Sequence, residues 1–219
     1  MDKPLQERFR YIAIEGPIGV GKTSLAAALA ERLNARLLLE EGMENPFLPR
    51  YYGNIKKFAF QTQVFFLISR YKQQKEIAQR DLFNRLTVSD YMFEKDRIFA
   101  SISLNEEELM LYNHLHPLLA VNIPKPDLVI LLQAPSDVLM GRIRTRGRKF
   151  EAPMSRDYVE RIVEAYDRFF FNYEASPLLI VNTTHVNFAV DPYDLESLVH
   201  QLDKIESGTQ YYVPEKLSG

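Results

Sequence analysis

The segment "EGPIGVGKTS", residues 15–24, combines glycines, a lysine and hydroxyl groups at a spacing suited to holding phosphate. Gly16, Gly21, Lys22 and Thr23 fit the pattern G-x-x-x-x-G-K-[ST]. Glycines let successive backbone N–H groups turn toward phosphate oxygens, the lysine reaches the outer phosphates, and the hydroxyl can bind magnesium. The alternative is a glycine-rich turn with a chance lysine. The pattern predicts a nucleoside triphosphate site without distinguishing a kinase from an ATPase or a GTPase.

The elements on either side of this loop favour the phosphate site over the chance turn. Residues 10–15, "RYIAIE", are predicted to form a short buried strand that leads directly into the glycines. Residues 23–34 have alanine and leucine at helical spacing, so a helix follows. The N-terminus of that helix would add free N–H groups and a positive dipole end to the same site.

Two acids, Glu40 and Asp90, end the next two predicted strands, 36–40 and 86–90. Because ligands collect at the carboxyl ends of parallel strands, both acids are expected beside the glycine loop. Either acid alone could be a cap for the following element. Together they favour phosphoryl transfer, in which one acid orients or deprotonates the attacking hydroxyl and another lies near magnesium. Glu41 is the alternative to Glu40.

An arginine-rich stretch, residues 142–149, has five cations in eight positions. Arg142 and Arg146 share one face of a predicted helix, and Gly147 ends that helix so that Arg148 turns separately. A solvated basic face is one interpretation, and contact with RNA or a membrane surface is another. Beside a phosphate-binding loop we favour a lid whose arginines neutralise charge on the transferred phosphoryl group.

Strands and helices alternate along the whole chain, which predicts an α/β fold with a five-stranded parallel sheet flanked by helices. The predicted strands are 10–15, 36–40, 86–90, 127–133 and 178–182. The predicted helices are 23–34, 55–79, 93–101, 105–120, 136–146, 156–173 and 193–205. We expect one P-loop kinase domain over residues 1–219, with a lid at about 142–154 and a loose C-terminal tail from about 207 to 219.

Composition excludes several classes of protein. The 219 residues are 46% hydrophobic and 26% charged, which suits a soluble α/β domain with a sizeable core. A net charge of -2 argues against a general nucleic-acid binder. The absence of cysteine excludes disulfides and thiolate metal sites. No apolar run approaches about 20 residues and the N-terminus is polar, so we expect a cytoplasmic protein without membrane contact.

With the loop, the acids and the lid in place, the chain resembles the deoxynucleoside kinase family from residue 10 to about residue 194. The family P-loop is close to "GPIGVGKTS". The resemblance implies that Glu40 is the general base for the sugar 5′-hydroxyl, although Glu41 stands where the family usually has proline. It also implies that Tyr52, eleven residues before Gln63, contacts the 3′-hydroxyl.

Base recognition is also implied by the resemblance. Gln63 and Arg70 are seven residues apart, so they share one face of the long predicted helix, and Asp96 is expected against Arg70. An amide and a guanidinium together offer donors and an acceptor to a base edge. The family lid pattern R-x-x-x-R-x-R-x-x-E matches Arg142, Arg146, Arg148 and Glu151, and the glutamate also holds the 3′-hydroxyl.

We therefore expect four sets of site residues. The catalytic set is Lys22, Glu40, Asp90, Arg142 and Arg146. The ATP-binding set is Gly16, Pro17, Ile18, Gly19, Val20, Gly21, Lys22, Thr23, Ser24, Arg146 and Arg148. The substrate-binding set is Glu40, Tyr52, Gln63, Arg70, Asp96 and Glu151. The magnesium set is Thr23, as a direct ligand, and Asp90, acting near the ion.

One departure from the family pattern lies at the end of the third strand. Many members have Glu-Arg-Ser there, whereas this chain has Ser89-Asp90-Tyr91. Tyr91 then replaces an arginine that helps to bind phosphate, so the positive charge is expected from Arg97 or the lid. Bacterial purine-type members are similar here, with Asp-Tyr and a loop like the "NPFL" of residues 45–48.

The leading hypothesis is transfer of the ATP γ-phosphoryl group to the 5′-hydroxyl of a deoxynucleoside, of purine type, with magnesium. A nucleoside monophosphate kinase of the thymidylate kinase type is the nearest alternative, and it would need extra cations for the acceptor's phosphate. A non-catalytic NTP-binding switch leaves the matched substrate residues unexplained. A nucleic-acid 5′-kinase is disfavoured by the net charge. The resemblance also implies a homodimer.

Overall fold

The computed structural model describes residues 4–41, 44–80, 86–188 and 191–214. These residues form an α/β structure with one parallel sheet. The strands are β1 (Tyr11–Glu15), β2 (Arg36–Leu38), β3 (Thr87–Ser89), β4 (Leu128–Gln133), β5 (Leu178–Asn182) and β6 (Thr209–Tyr212). The α-helices are α1 (Leu5–Arg8), α2 (Lys22–Arg32), α3 (Leu48–Tyr51), α4 (Ile55–Arg80), α5 (Lys95–Ser103), α6 (Glu106–Ala120), α7 (Ser136–Arg146), α8 (Arg156–Phe171) and α9 (Pro192–Asp203), with a 3-10 helix at Lys149–Glu151.

The strand order, β2-β3-β1-β4-β5-β6, determines where a ligand can bind. Every residue of β1 is buried, as expected for a strand covered by helices on both faces. The chain leaves β1 toward β2 and β3 on one side and then returns to β4 on the other side. Ligands of such sheets bind in the crevice at this reversal, beyond the carboxyl ends of the strands. The loops after β1, β2 and β3 all open into this crevice.

The C-terminal segment corrects the sequence prediction. The predicted α/β class and its five parallel strands are confirmed, but Thr209–Tyr212, placed in the loose tail, forms the sixth strand, β6, paired with β5. Its side chains alternate between exposed and half-buried, and the Tyr212 hydroxyl lies 2.7 Å from Ser197 Oγ. Such a short edge strand with one partner has a weak sequence signal. Residues 215–219 lie outside the described part.

Helix α7 has the predicted bounds, and Gly147 ends it in the left-handed conformation with φ 67°. The four-residue helices α1 and α3 were missed because one turn is too short to show a period. Strands β2 and β3 end before Glu40 and Asp90, so both acids lie on loops at the crevice. None of the helices described here is long and apolar enough to cross a membrane.

Candidate active site

The glycine loop after β1 is shaped by a residue that cannot be replaced without a clash. Gly16 has φ 143°, and a Cβ atom there would lie 2.4 Å from the carbonyl oxygen of Leu132 on β4. The loop therefore packs directly on the neighbouring strand. Lys22 Nζ donates to the carbonyls of Gly16 at 2.7 Å and Pro17 at 2.9 Å, which folds the ammonium group over the loop.

Beneath the loop lies a buried acid that the sequence analysis did not identify. Glu15 accepts hydrogen bonds from the backbone N–H of Gly16 at 3.1 Å and of Met92 at 2.8 Å, and from the Tyr166 hydroxyl at 3.0 Å. These bonds join the glycine loop to the segment after β3 and to α8. Burial raises the pKa of Glu15, while Lys95 and Lys22 oppose the rise. The signal in the sequence that could have identified Glu15 is a carboxyl group at the end of an otherwise apolar strand.

Three predicted residues meet at the start of α2. Asp90 Oδ2 accepts from Thr23 Oγ1 at 2.6 Å, and Asp90 Oδ1 accepts from the backbone N–H of Glu40 at 2.8 Å. Asp90 thus ties the loop after β2 to the glycine loop. Its oxygens and the threonine hydroxyl are the hard donors that Mg²⁺ prefers. Among the described residues, no group of three or more His, Cys, Asp or Glu could hold a metal ion.

Glu40 is held by two cations. Its carboxylate accepts from Arg70 Nε at 2.7 Å and from Lys95 Nζ at 2.7 Å, and also pairs with a terminal nitrogen of Arg70. Burial on its own would raise the pKa of Glu40, but Arg70 and Lys95 hold it well below its usual range. Glu40 is therefore an anion at neutral pH. The sequence analysis identified Arg70 but not Lys95.

Arg70 links Glu40 to a second acid. Its other terminal nitrogen pairs with Asp96 Oδ1, and its guanidinium carbon lies 4.9 Å from the centre of the Phe66 ring. Asp96 is fully buried behind Arg70, and its Oδ2 atom has no hydrogen-bond partner. Burial raises the pKa of Asp96 to about 7 against the influence of Arg70. Asp96 positions Arg70 here and does not line either cavity described below.

The predicted lid contributes Arg146, Arg148, Phe150 and Glu151 to the same cavity as Glu40 and Arg70. Glu151 is buried, and its two carboxylate oxygens lie 2.8 and 2.9 Å from a terminal nitrogen of Arg146. Arg148 lies 3.7 Å from the same carboxylate. Phe150, between them, stacks on Tyr52 with ring centres 6.2 Å apart and planes 10° apart. The lid and the loop carrying Tyr52 are thus joined by charge and by aromatic packing.

Arg142 does not contact Glu151 in the ion pairs described, but lies between the glycine loop and the loop after β5. It donates to the carbonyls of Thr183 at 2.6 Å and Val20 at 3.3 Å, which ties α7 to the loop after β5 and to the glycine loop. Of the remaining candidates, Glu41 and Arg97 are exposed and line neither cavity. Tyr91 is buried and makes no contact with the glycine loop in the hydrogen bonds described.

Two cavities meet at the glycine loop. The first, with a volume of about 390 Å³, is lined by Gly19, Val20, Gly21, Lys22, Thr23, Ser24, Leu25, Arg142, Arg146, Arg148, Thr183, Val186, Asn187 and Phe188. The second, of about 130 Å³, is lined by Ile18, Gly19, Lys22, Thr23, Glu40, Leu48, Tyr51, Tyr52, Gln63, Phe66, Arg70, Asp90, Lys95, Phe99, Arg146, Arg148, Phe150 and Glu151. Both share Gly19, Lys22, Thr23, Arg146 and Arg148. A group transferred between ligands in the two cavities would pass these shared residues.

The far end of the second cavity is polar, and one of its polar atoms has no hydrogen-bond partner. Gln63 Oε1 is buried without a partner, and Gln63 Nε2 lies 3.5 Å from the Tyr51 hydroxyl. A buried acceptor without a partner in a cavity indicates a ligand that donates to it. Sequence analysis missed the neighbouring Tyr51, Phe99 and Phe150, since aromatic residues in an apolar pattern are indistinguishable from core residues.

Comparison with known proteins agrees with this geometry. The family model described as deoxynucleoside kinase matches residues 12–206. The chain belongs to the deoxynucleoside kinase family. It is therefore an enzyme of the ATP-dependent deoxynucleoside kinase type, and the family and the kinase class predicted from the sequence are confirmed.

Individual deoxynucleoside kinases are similar over much of their length. Deoxyguanosine kinase of Bacillus subtilis (strain 168) is 37% identical over 158 residues, covering 72% of this chain and 76% of the relative. Deoxyadenosine kinase of Lactobacillus acidophilus is 30% identical over 209 residues, covering 89% of this chain and 95% of the relative. A solved structure of deoxyadenosine kinase from M. mycoides with products dCMP and a flexible dCDP bound has a TM-score of 0.76 at 25% identity, covering 89% of this chain and 100% of that one.

Proposed function

We propose that this deoxynucleoside kinase transfers the γ-phosphoryl group of ATP to the 5′-hydroxyl of a purine deoxynucleoside. The observation that supports this best is the junction of the two cavities. Lys22 and Thr23 line both of them, and the ionised Glu40 lines only the second. A triphosphate in the first cavity would present its terminal phosphate to a hydroxyl held by Glu40 in the second.

On the triphosphate side, the glycine loop and the N-terminus of α2 bind the phosphates through backbone N–H groups. Arg146 and Arg148 line both cavities, so they are placed to spread charge from the transferred group. Arg142 holds the loop after β5 against the glycine loop. Thr23 and Asp90 would hold Mg²⁺, which supplies charge neutralisation at the phosphates when it is bound.

On the acceptor side, Glu40 orients the 5′-hydroxyl and accepts its proton. Tyr52 and Glu151 lie where the lid meets the second cavity, so they are our candidates for the 3′-hydroxyl. Gln63 and Arg70 line the far end and are our candidates for the base edge, with Asp96 fixing Arg70. The positions of these side chains in and beside the second cavity support the proposed roles.

A purine fits the donors and acceptors at this far end. Gln63 Oε1 is an acceptor without a partner, and Arg70 has only donors. Guanine offers a donor at N1 and an acceptor at O6, which matches this pair. Adenine can donate from N6 to Gln63 and accept at N1 or N7. The similarity to kinases named for deoxyguanosine and deoxyadenosine supports the same preference.

The test is a steady-state assay of the purified chain with ATP, Mg²⁺ and each of the four deoxynucleosides, with products identified by mass. We expect a purine deoxynucleoside to give the highest kcat/KM and its 5′-monophosphate as product. Thymidine or deoxycytidine as the best substrate would contradict the purine preference. The absence of phosphorylation with all four would contradict the proposed function itself.

The same assay with deoxynucleoside monophosphates tests the alternative of a monophosphate kinase. An acceptor that already carries phosphate needs cations of its own. In the second cavity Arg70 is held between Glu40 and Asp96, and Arg146 and Arg148 are assigned above to the transferred group. We therefore expect little diphosphate product from monophosphates. Efficient conversion of a monophosphate would favour the alternative.

We further propose that residues 1–219 form one kinase domain, with a lid at about 142–154, that works as a cytoplasmic homodimer. The homodimer is supported by exposed apolar side chains on α4 and α6, namely Ile68, Met110, Leu111 and Leu118. A cytoplasmic location suits an enzyme that consumes ATP. Sedimentation analysis tests the dimer, for which a monomer at micromolar concentration would be the contrary result.

A further inference from the structure

Lys95 is a buried cation in the second cavity for which the sequence analysis gave no role. It begins α5, just after β3, and only 5% of the residue is exposed. Its Nζ atom lies 2.7 Å from Glu40 Oε2. Lys22 and Thr23 of the glycine loop line the same cavity. Lys95 therefore lies at the junction where we place the transferred phosphoryl group.

This position matters because the resemblance implies that Tyr91 stands where many family members, though not the bacterial purine-type ones, have a phosphate-binding arginine. Tyr91 is fully buried, and its hydroxyl donates to Gln73 Oε1 at 2.8 Å. Gln73 Nε2 in turn donates to the carbonyl of Leu39 at 3.1 Å. Tyr91 thus supports the segment that precedes Glu40 and brings no positive charge to the cavity. Arg97, the alternative source of charge, is exposed and does not line the cavity.

Two lysines that line one cavity, Lys95 buried and Lys22 half-buried, favour an anionic ligand beside them. Placing two like charges in a buried site is unfavourable unless an anion is bound near both. Glu40 partly supplies that anion for Lys95, whereas Lys22 contacts only backbone carbonyls of the loop in the bonds described. A phosphoryl group at the junction would satisfy both ammonium groups.

We propose that Lys95 is a catalytic residue that binds the transferred phosphoryl group and replaces the arginine lost at Tyr91. This proposal rests on the proposed kinase function. The 5′-oxygen forms a bond to the γ-phosphorus, the bond from that phosphorus to the β,γ-bridging oxygen breaks, and ADP leaves. The hydroxyl proton passes to Glu40. Once Glu40 is neutral, the protonated Lys95 loses its partner and pairs with the oxygens of the new phosphoester.

The test compares Lys95→Met with Lys95→Gln, which keeps a donor to Glu40 but removes the charge, and with Lys95→Arg, which keeps the charge. Lys204→Met, at an exposed position lining neither cavity, is the matched control. We expect kcat to fall about 10²- to 10³-fold in both neutral variants, with the deoxynucleoside KM changed much less. Lys95→Arg should recover most of kcat, and the control should match the parent chain.

A second readout does not depend on turnover. Equilibrium binding of the 5′-monophosphate product is compared with binding of the deoxynucleoside itself at one pH. Removing the positive charge of Lys95 should weaken binding of the monophosphate in both neutral variants and leave binding of the deoxynucleoside largely unchanged. A merely structural role for Lys95 would change the two affinities equally, or would remove binding together with the folding transition.

Failure of this proposal is distinguishable from failure of the proposed function. If the parent chain phosphorylates no deoxynucleoside, the proposed function fails and Lys95 has no such role. If the parent chain is active, the Lys95 proposal is overturned by retention of kcat within about threefold in Lys95→Gln. It is equally overturned if Lys95→Arg is as inactive as Lys95→Gln while both melt like the parent.

Discussion

The two cavities of this kinase recognise their ligands by different means. In the first cavity, half of the lining residues belong to one continuous segment, residues 19–25 of the glycine loop and α2, whose backbone N–H groups and dipole suit phosphate; the other half are Arg142, Arg146, Arg148 and residues of the loop after β5. The second is formed by side chains from α3, α4, α5 and the lid, and its charges are paired with one another. Backbone recognition is local in the sequence. Side-chain recognition depends on segments that only the fold brings together.

This difference has consequences for mutation. In the first cavity Lys22 adds its charge to a backbone framework and donates to backbone carbonyls, with no carboxylate among its described hydrogen bonds. Replacing it should therefore act on phosphate binding without breaking an ion pair described here. Glu40, Arg70 and Lys95, which line the second cavity, form one connected set of ion pairs with Asp96 behind Arg70. Members of such a set are coupled, so their effects should not add. The following experiments break or sharpen this contrast, from the largest expected effect to the smallest.

Replacing Lys22 by alanine should have the largest effect, because it removes the point charge that reaches the outer phosphates. We expect kcat to fall on the order of 10³-fold while the melting temperature stays near that of the parent. Lys204→Ala, an exposed lysine remote from both cavities, is the matched control. Activity of Lys22→Ala within about threefold of the parent would contradict the P-loop assignment.

Glu40→Gln should lower kcat by about 10²-fold and leave deoxynucleoside affinity largely intact, since the amide still accepts from Arg70 or Lys95 but takes no proton. Glu41→Gln is the matched control, because Glu41 is adjacent but exposed. Asp90→Asn should respond to added magnesium, whereas Glu40→Gln should not. If kcat is unchanged in Glu40→Gln but is largely lost in Glu41→Gln, then Glu41 rather than Glu40 is the general base.

Arg70→Met should change base selectivity more than overall turnover. The variant removes the donor placed to meet O6 of guanine, and one unpaired buried polar group costs about 1–3 kcal/mol. We therefore expect kcat/KM for deoxyguanosine to fall about one to two decades further than that for deoxyadenosine. Breaking the ion pairs with Glu40 and Asp96 also destabilises the fold, so the thermal melting curve of the variant is recorded together with its kinetics. An equal decrease for both purines would refute the assignment of the donor.

The smallest expected effect is a difference in pH dependence between ligand binding in the first cavity and ligand binding in the second. Burial, with Lys95 nearby, lowers the pKa of Lys22 to about 7, so its ammonium loses a proton as the pH rises through that value. ATP affinity should then weaken by up to about tenfold per pH unit above 7, with proton uptake on binding. Glu40 has a pKa far below this range and stays ionised. Asp96, with a pKa of about 7, loses its proton over the same range and then pairs more strongly with Arg70, so deoxynucleoside affinity should not weaken as ATP affinity does. If titration calorimetry shows the same pH dependence for ATP affinity and for deoxynucleoside affinity, the proposed difference between the two cavities is contradicted.

The accuracy of the sequence predictions follows the same division. The glycine loop, the helix 136–146 and its end at Gly147 were predictable because each is fixed by neighbours within a few residues. The strand at Thr209–Tyr212 was not, because its one partner, β5, lies about thirty residues earlier in the chain. Lys95 and Glu15 were missed because a single charged residue has no pattern of its own.

The sequence by itself determined the α/β class and the P-loop, because local hydrogen bonding and side-chain period decide where strands, helices and the phosphate loop form. The kinase class came from the resemblance to deoxynucleoside kinases. The sequence also determined which acids and arginines are available. Only the tertiary structure decided how they pair: that Asp96 lies behind Arg70, that Arg142 holds the loop after β5, and that Lys95 reaches Glu40. The physical reason is that an ion pair depends on distance in space, and the packing of α4 and α5 across the crevice sets that distance.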